Sequence, residues 1–171
     1  MKNYRPVCHL VQVGLLVEYA VKDQIIEHFT KSNLFHSNLH DGLANHSTAT
    51  ALIQIHDQWL SAADEKKSSA TCLLDQSSAY NLLPHSVMKD KLEVYNFDAL
   101  SIKWIMSYLG GRSQIVQIET QFSEALYCGE LGAFQGSVLA GVLQNINCND
   151  LPACHLKEDA SGVVFVDDNI Q

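Results

Sequence analysis

Gly162-Val163-Val164-Phe165-Val166-Asp167-Asp168 is a short apolar run that stops abruptly at two acids. Well upstream, Ala70-Thr71-Cys72-Leu73-Leu74-Asp75 does the same with one acid. Apolar runs of this length with polar ends predict buried strands, each delivering a carboxylate to the tip of a sheet. Carboxylates so placed repel one another unless cations neutralise them. Their oxygens are hard ligands that suit Mg²⁺, and two such ions about 3.5–4 Å apart serve in-line displacement at phosphorus. Taken alone, the same pattern also fits a strand running into a polar turn.

Working outward, helical spacing predicts an amphipathic helix over residues 8–30. Leu10, Val13, Leu16, Val17, Ala20, Ile25 and Phe29 form its apolar face, and Glu18, Lys22, Asp23 and Glu27 its wet side. Asn33 to Ser47 reads as a polar connector, and a second helix follows from Thr48 to about Ala63, with Ala51, Leu52, Ile55, Trp59 and Leu60 as its stripe. Asp64 to Ser69 is a charged, solvated turn. Pro84 opens a helix carrying Val87, Met88, Leu92 and Tyr95 inward. Another runs from about Asp98 to Leu109, where Gly110-Gly111 stops it. Alternation in Ser113–Glu119 and again in Phe122–Cys128 predicts a hairpin, and Gly136 to about Cys148 reads as helix. The whole is α+β: helices with a small antiparallel sheet.

Composition narrows the function classes. The chain has 171 residues, 47% of them hydrophobic, with 9 Gly and 3 Pro, which excludes global disorder and collagen-like architecture. No secretory leader is expected, because the apolar stretch after Pro6 is broken by Gln12, Glu18, Lys22 and Asp23. The uncharged run Leu131–Asn149 holds five amides in nineteen residues, so a bilayer span is not expected. The Asn45-His46-Ser47 sequon therefore carries little weight. Five cysteines, at 8, 72, 128, 148 and 154, form no CxxC pair and read as reduced thiols. Cys148, Cys154 and His155 lack the paired spacing of a structural zinc site.

The ordered set of motifs decides the family. Tyr4-Arg5-Pro6-Val7 is followed by Ser47-Thr48, Leu73-Leu74-Asp75-Gln76-Ser77-Ser78-Ala79-Tyr80 and Ser101–Leu109. Then come Gly132-Ala133-Phe134-Gln135-Gly136-Ser137-Val138-Leu139, Asn149-Asp150-Leu151-Pro152 and Phe165-Val166-Asp167-Asp168. In this order and over essentially the whole chain, the set resembles the reverse-transcriptase domain of non-LTR retrotransposons. The resemblance implies an RNA-directed DNA polymerase of the right-hand fold, with a fingers-like helical part over about 1–69 and palm with inserted helices over about 70–171. It implies Asp75, Asp167 and Asp168 as ligands of two Mg²⁺ ions, with Mn²⁺ as the alternative ion. Tyr80 falls where the family carries the aromatic that crowds the sugar 2′ position, although an ordinary core aromatic fits it too. Gln135-Gly136 matches the loop set against templating base and incoming nucleotide. Arg5 lies in the opening motif, near nucleic acid or in a plain surface ion pair. The implied partners are an RNA template, a DNA primer and a deoxynucleotide, acting in the nucleus or the cytoplasm.

This sequence also departs from the family. Phe134 stands where Pro usually precedes Gln-Gly, and a bulky ring there is expected to shift the loop unless the turn accommodates it. Leu39 to Thr48 holds no Arg or Lys, where relatives carry a basic fingers motif. Gln144 and Asn145 replace apolar positions. The chain reads as stopping before the thumb, which leaves the palm sheet with an exposed edge open to self-association. Its net charge of −8 makes a thin phosphate-tracking surface. Residues 34–100 carry 4 bases and 8 acids, and residues 101–171 carry 3 and 8. Two readings follow: a retroelement polymerase core, or a catalytically inactive truncated relic with at most weak nucleic-acid binding. A metal-dependent phosphohydrolase would share the acids but needs neither primer nor template.

Overall fold

A computed structural model of the chain describes residues 8–72, 79–153 and 162–164. Five helices carry the architecture: α1 (Gln12–Lys31), α2 (Thr48–Asp64), α3 (His85–Val94), α4 (Ala99–Leu109) and α5 (Val138–Cys148). Between α4 and α5 stands an antiparallel arm, in which β1 (Ser113–Gln114) pairs with β4 (Leu126–Tyr127) and β2 (Gln117–Ile118) with β3 (Gln121–Phe122). The combination fits the expected α+β class. Among the described residues no helix is long and apolar enough to cross a membrane.

Local chemistry sets the helix starts. Ser47 and Thr50 form a reciprocal capping box at α2: the Ser47 hydroxyl accepts from the Thr50 amide at 3.3 Å, and Thr50 Oγ1 from the Ser47 amide at 2.8 Å. Asp98 caps α4 by accepting from the amides of Leu100 and Ser101 at 2.9 and 3.0 Å. Pro84 stands just before α3, and Ser137 caps α5. At the other end of α5, Lys91 donates to the Asn147 carbonyl and, at 2.6 Å, to Asp150, placing a cation at the negative end of the helix.

The core is helix against helix, with α5 at its centre. Eight of the 11 residues of α5 are buried, and it packs against α1 and α3, while α3 also packs on α4. Ile25 and Phe29 of α1, Met88 and Leu92 of α3, Ile105 and Leu109 of α4, and Leu139, Leu143 and Ile146 of α5 share one cluster. Phe29 is 0% exposed, and its ring lies 4.6 Å from that of Phe35 and 4.9 Å from that of Tyr95. His28 Nε2 donates to the Tyr95 carbonyl at 2.8 Å and fixes this aromatic group from one side.

Several expectations change at this level. In α1 only Ile25 and Phe29 of the predicted apolar face are buried; Val13, Leu16 and Val17 are exposed, and the supposedly wet Glu18 is buried. In α2 only Ala51 is buried; Leu52, Trp59 and Leu60 are exposed, and Leu52 and Trp59 line a shallow apolar groove with Ile53 and His56. The stripe is periodic, but beyond Ala51 no described element buries it. The polar connector is also not a simple loop. Leu39 is 0% exposed and forms a parallel bridge with Val164, with His40 N–H donating to the Val164 carbonyl and Val164 N–H to the Asn38 carbonyl, both at 2.9 Å. Asn149 holds the start of this segment, accepting from the His36 amide and donating to the Leu34 carbonyl, each at 2.8 Å.

The two strand expectations fare differently. Val164 makes one isolated parallel bridge, whereas Ala70 to Cys72 are exposed and form none. There the Thr71 hydroxyl accepts from the Trp59 indole at 2.9 Å instead. Residues 73–75 lie outside the described residues. The predicted hairpin is present, but all eight of its paired residues are exposed, so these antiparallel ladders stand clear of the helical core rather than beneath it. Two residues between β2 and β3, starting with Glu119 at φ 53°, close it.

Candidate functional site

Tyr80 sits in a short 3₁₀ turn, Ala79–Leu82, which the segment Glu130–Ala133 crosses and stitches down. Ala133 N–H donates to the Tyr80 carbonyl at 2.6 Å, Gly132 N–H to that of Leu83 at 2.8 Å, and His85 N–H to that of Glu130 at 3.2 Å. The His85 ring adds a bond from Nε2 to the Gly132 carbonyl at 2.9 Å. Gly132 makes the crossing possible. Its φ is +90°, and a Cβ there would stand 3.0 Å from the Asn81 carbonyl oxygen. We expect Gly132→Ala to cost about 1–3 kcal/mol, read as a lower urea midpoint at unchanged m-value.

The next four residues form a tight turn. Ser137 N–H donates to the Phe134 carbonyl at 3.0 Å, and the third residue, Gly136, has φ +101°, a conformation that glycine adopts freely. The Gln135 carbonyl accepts from the Cys8 amide at 2.8 Å. The chain just after the opening motif, the Tyr80 turn and the Gln135-Gly136 turn are thus tied together by backbone hydrogen bonds. Tyr80 itself is half-buried against the main core, so the core-aromatic reading of its ring is met in part.

Phe134 does not disrupt this turn. Its half-buried ring lies 4.6 Å from the Arg112 guanidinium, which also covers Tyr108 at 4.4 Å. Tyr108 meets Phe134 edge to face at 6.5 Å and stacks on Trp104 at 5.8 Å. A cation between two rings is favourable electrostatically and fills the space that a larger residue requires. The expected shift of the loop is therefore absorbed locally.

Behind the turn lies a buried carboxylate. Glu18 is 5% exposed; Oε1 accepts from the Tyr108 hydroxyl at 3.1 Å, and Oε2 from Ser137 Oγ at 2.7 Å and the Val138 amide at 2.9 Å. The Leu139 amide reaches the same Oε2 at 3.4 Å, and the Tyr108 and Ser137 hydroxyl oxygens also meet each other, so that two hydroxyl protons serve three contacts. A buried charge is tolerated when donors surround it, and the positive end of α5 adds to them. Burial pushes the Tyr108 phenol up to about 12, and the Glu18 charge pushes it the same way, against the hydrogen bond from Ser137. The Cys8 thiol is also raised, chiefly by burial, with Cys128 adding and Arg112 opposing.

Sequence reading missed Glu18. The signal was available: it lies seven and eleven residues before Ile25 and Phe29, on the same helical face as both. An acid on the buried stripe of a helix needs donors from elsewhere in the fold. The other predicted site residues, Arg5, Asp75, Asp167 and Asp168, lie outside the described residues. What leads into Asp167 is described: Gly162 to Val164 is held against Asn38–His40, with Asn38 Nδ2 donating to the Gly162 carbonyl at 2.8 Å. Among the described residues no group of three His, Cys, Asp or Glu could hold a metal ion. In the stretch without Arg or Lys, His40 is buried and bonded to Thr50 Oγ1 and Gln54 Oε1 at 2.9 and 2.7 Å.

Compared with known families, residues 1–170 match the model of the reverse transcriptase (RNA-dependent DNA polymerase) family. No curated protein matches the chain.

Proposed function

This chain belongs to the reverse transcriptase family, and we propose that it is the RNA-directed DNA polymerase core of a retroelement of the non-LTR type. The reaction is nucleotidyl transfer: the primer 3′-oxygen forms a bond to the α-phosphorus of a deoxynucleotide, and the bond to the bridging oxygen of the β-phosphate breaks. Pyrophosphate leaves, and the hydroxyl proton passes to solvent. The observation that supports this reading best is the convergence of two separate motifs with the chain just after a third. Backbone hydrogen bonds tie Cys8 to Gln135, and Ala133 to Tyr80, at 2.8 and 2.6 Å.

In this reading residues of about 1–69 act as fingers and those of about 70–171 as palm. The turn at Gln135 and Gly136 lies against templating base and nucleotide, and Arg5 near phosphate. Asp75, Asp167 and Asp168 offer an all-oxygen donor set, which fits Mg²⁺, or Mn²⁺ in its place. Two such ions, when bound, lower the pKa of the attacking hydroxyl and stabilise the leaving pyrophosphate. The reaction belongs to the nucleus or the cytoplasm, and an exposed sheet edge offers a route to self-association.

Tyr80 crowds the sugar 2′ position. Tyr80→Ala is therefore expected to raise ribonucleotide incorporation relative to deoxynucleotide by about tenfold or more, since a lost steric clash is worth a few kcal/mol. Competing the two nucleotides in one extension assay measures it, and an unchanged ratio removes Tyr80 from this role. The function itself is tested by primer extension on an RNA template with deoxynucleotides and Mg²⁺, using the folded chain. Incorporation supports the polymerase reading. Its absence, from protein shown folded in the same preparation, favours the inactive relic, which the lack of Arg or Lys over Leu39–Thr48 also favours. Nucleotide hydrolysis without primer would point to a phosphohydrolase instead.

A further inference from the structure

We propose that Glu18 is a positioning residue for the Gln135–Gly136 turn, holding it through Ser137 and the first amides of α5. The inference rests on the polymerase reading, in which that turn faces template and nucleotide. Glu18 is the one buried acid among the described residues. Every group aimed at it is a donor: the hydroxyls of Tyr108 and Ser137 and the amides of Val138 and Leu139. These come from α4 and from the turn, so the carboxylate joins α1 to two other parts of the fold.

Capping alone does not account for it. Ser137 already caps α5, accepting from the amides of Leu139 and Ala140 at 3.2 and 3.1 Å. Glu18 accepts in turn from the Ser137 hydroxyl at 2.7 Å, which fixes the orientation of the cap itself. Ser137 is the last residue of the turn, closed by its amide on the Phe134 carbonyl at 3.0 Å. On the other side, Arg112 holds Phe134 against Tyr108, and Tyr108 also donates to Glu18 at 3.1 Å. Both ends of Phe134–Ser137 are therefore referred to one carboxylate. Gln135 and Gly136 between them are set by these contacts together with the Cys8 amide on the Gln135 carbonyl.

The test separates positioning from stability. In steady-state primer extension, Glu18→Ala is expected to raise KM for the templated deoxynucleotide by roughly ten- to a hundredfold, the scale on which misplaced groups act. Glu18→Gln keeps the shape and an oxygen toward Ser137 and Val138, and is expected to recover most of that loss. Leu92→Ala, in the core away from the turn, is the control: its melting temperature falls and KM holds. An unchanged KM in Glu18→Ala, or an equal rise in Leu92→Ala, overturns the inference. Should the wild-type chain incorporate nothing, the polymerase reading fails by itself, and positioning is read from amide hydrogen exchange. Faster exchange over residues 134–139 in Glu18→Ala than in Leu92→Ala supports it, and equal exchange sinks it. If Glu18→Ala does not fold, Tyr108→Phe removes a hydroxyl donated to Glu18 without touching the Ser137 cap and takes the same measurements.

Discussion

Asp167→Asn is expected to lower primer extension by about three orders of magnitude or more while leaving the chain folded. A bound divalent cation supplies several kcal/mol to a phosphoryl-transfer transition state, and each ~1.4 kcal/mol is a factor of ten in rate. Asparagine keeps the size of aspartate and one oxygen but loses the charge that makes the donor set attractive to Mg²⁺. The substitution should not weaken the fold. Asp75, Asp167 and Asp168 carry like charges, so removing one relieves repulsion wherever they approach without a cation. Two measurements check this together. Incorporation is followed with wild-type and Asp167→Asn chains, and thermal melting of both is recorded with and without Mg²⁺. Binding to the native state raises wild-type stability as the ion is added, and the variant gains less. Full incorporation by Asp167→Asn would remove this acid from the reaction and leave its place in the motif without a chemical role.

Phe29→Ala is expected to cost about 3–5 kcal/mol of folding stability, the range for a large aromatic truncated in a packed core. Phe29 is 0% exposed, and its ring meets Phe35, Tyr95 and Phe97 at 4.6, 4.9 and 6.1 Å. These neighbours come from the connector after α1 and from the segment after α3, so the cavity opens where separate parts of the chain meet. Little local collapse can fill it, because His28 is tied to Tyr95, and Asn149 donates to the Tyr95 hydroxyl at 2.9 Å. A loss of this size is a large share of a typical domain's stability. Urea unfolding by far-ultraviolet circular dichroism should show the midpoint falling steeply. A change below about 1 kcal/mol would mean that the aromatic group is not packed as described.

How far the sequence could be read depended on the range of the forces involved. The expected starts of α2 and α4 lie within a residue of those observed, where Ser47 and Asp98 cap over three residues, whereas α5 starts at Val138 and Gly136 belongs to the turn before it. The hairpin followed from alternation over a dozen residues, and Gly110 ended α4 as expected. Phe134 is a visible departure in the sequence, but what accommodates its ring is not local. The answer lay in Arg112 and Tyr108, whose rings and charge approach only in the folded chain.

The side of each helix that ends up buried was a different matter. Periodicity marks a stripe but does not supply its partner, so Leu52, Trp59 and Leu60 read as core and stand exposed. Glu18 read as solvent-facing for the converse reason: an acid is costly inside until donors are counted, and four of them arrive from α4, the turn and α5. By itself, then, the sequence determined the family, through the order of its motifs, and the existence and approximate spans of the helices and the hairpin, through periodicity and local turn chemistry. Only the tertiary structure decided that Leu39 pairs with Val164, that Tyr80 and the Gln135 turn share one backbone network, and that Glu18 stands behind them. Those contacts join residues far apart in the chain, and their free energy exists only once the intervening elements have packed.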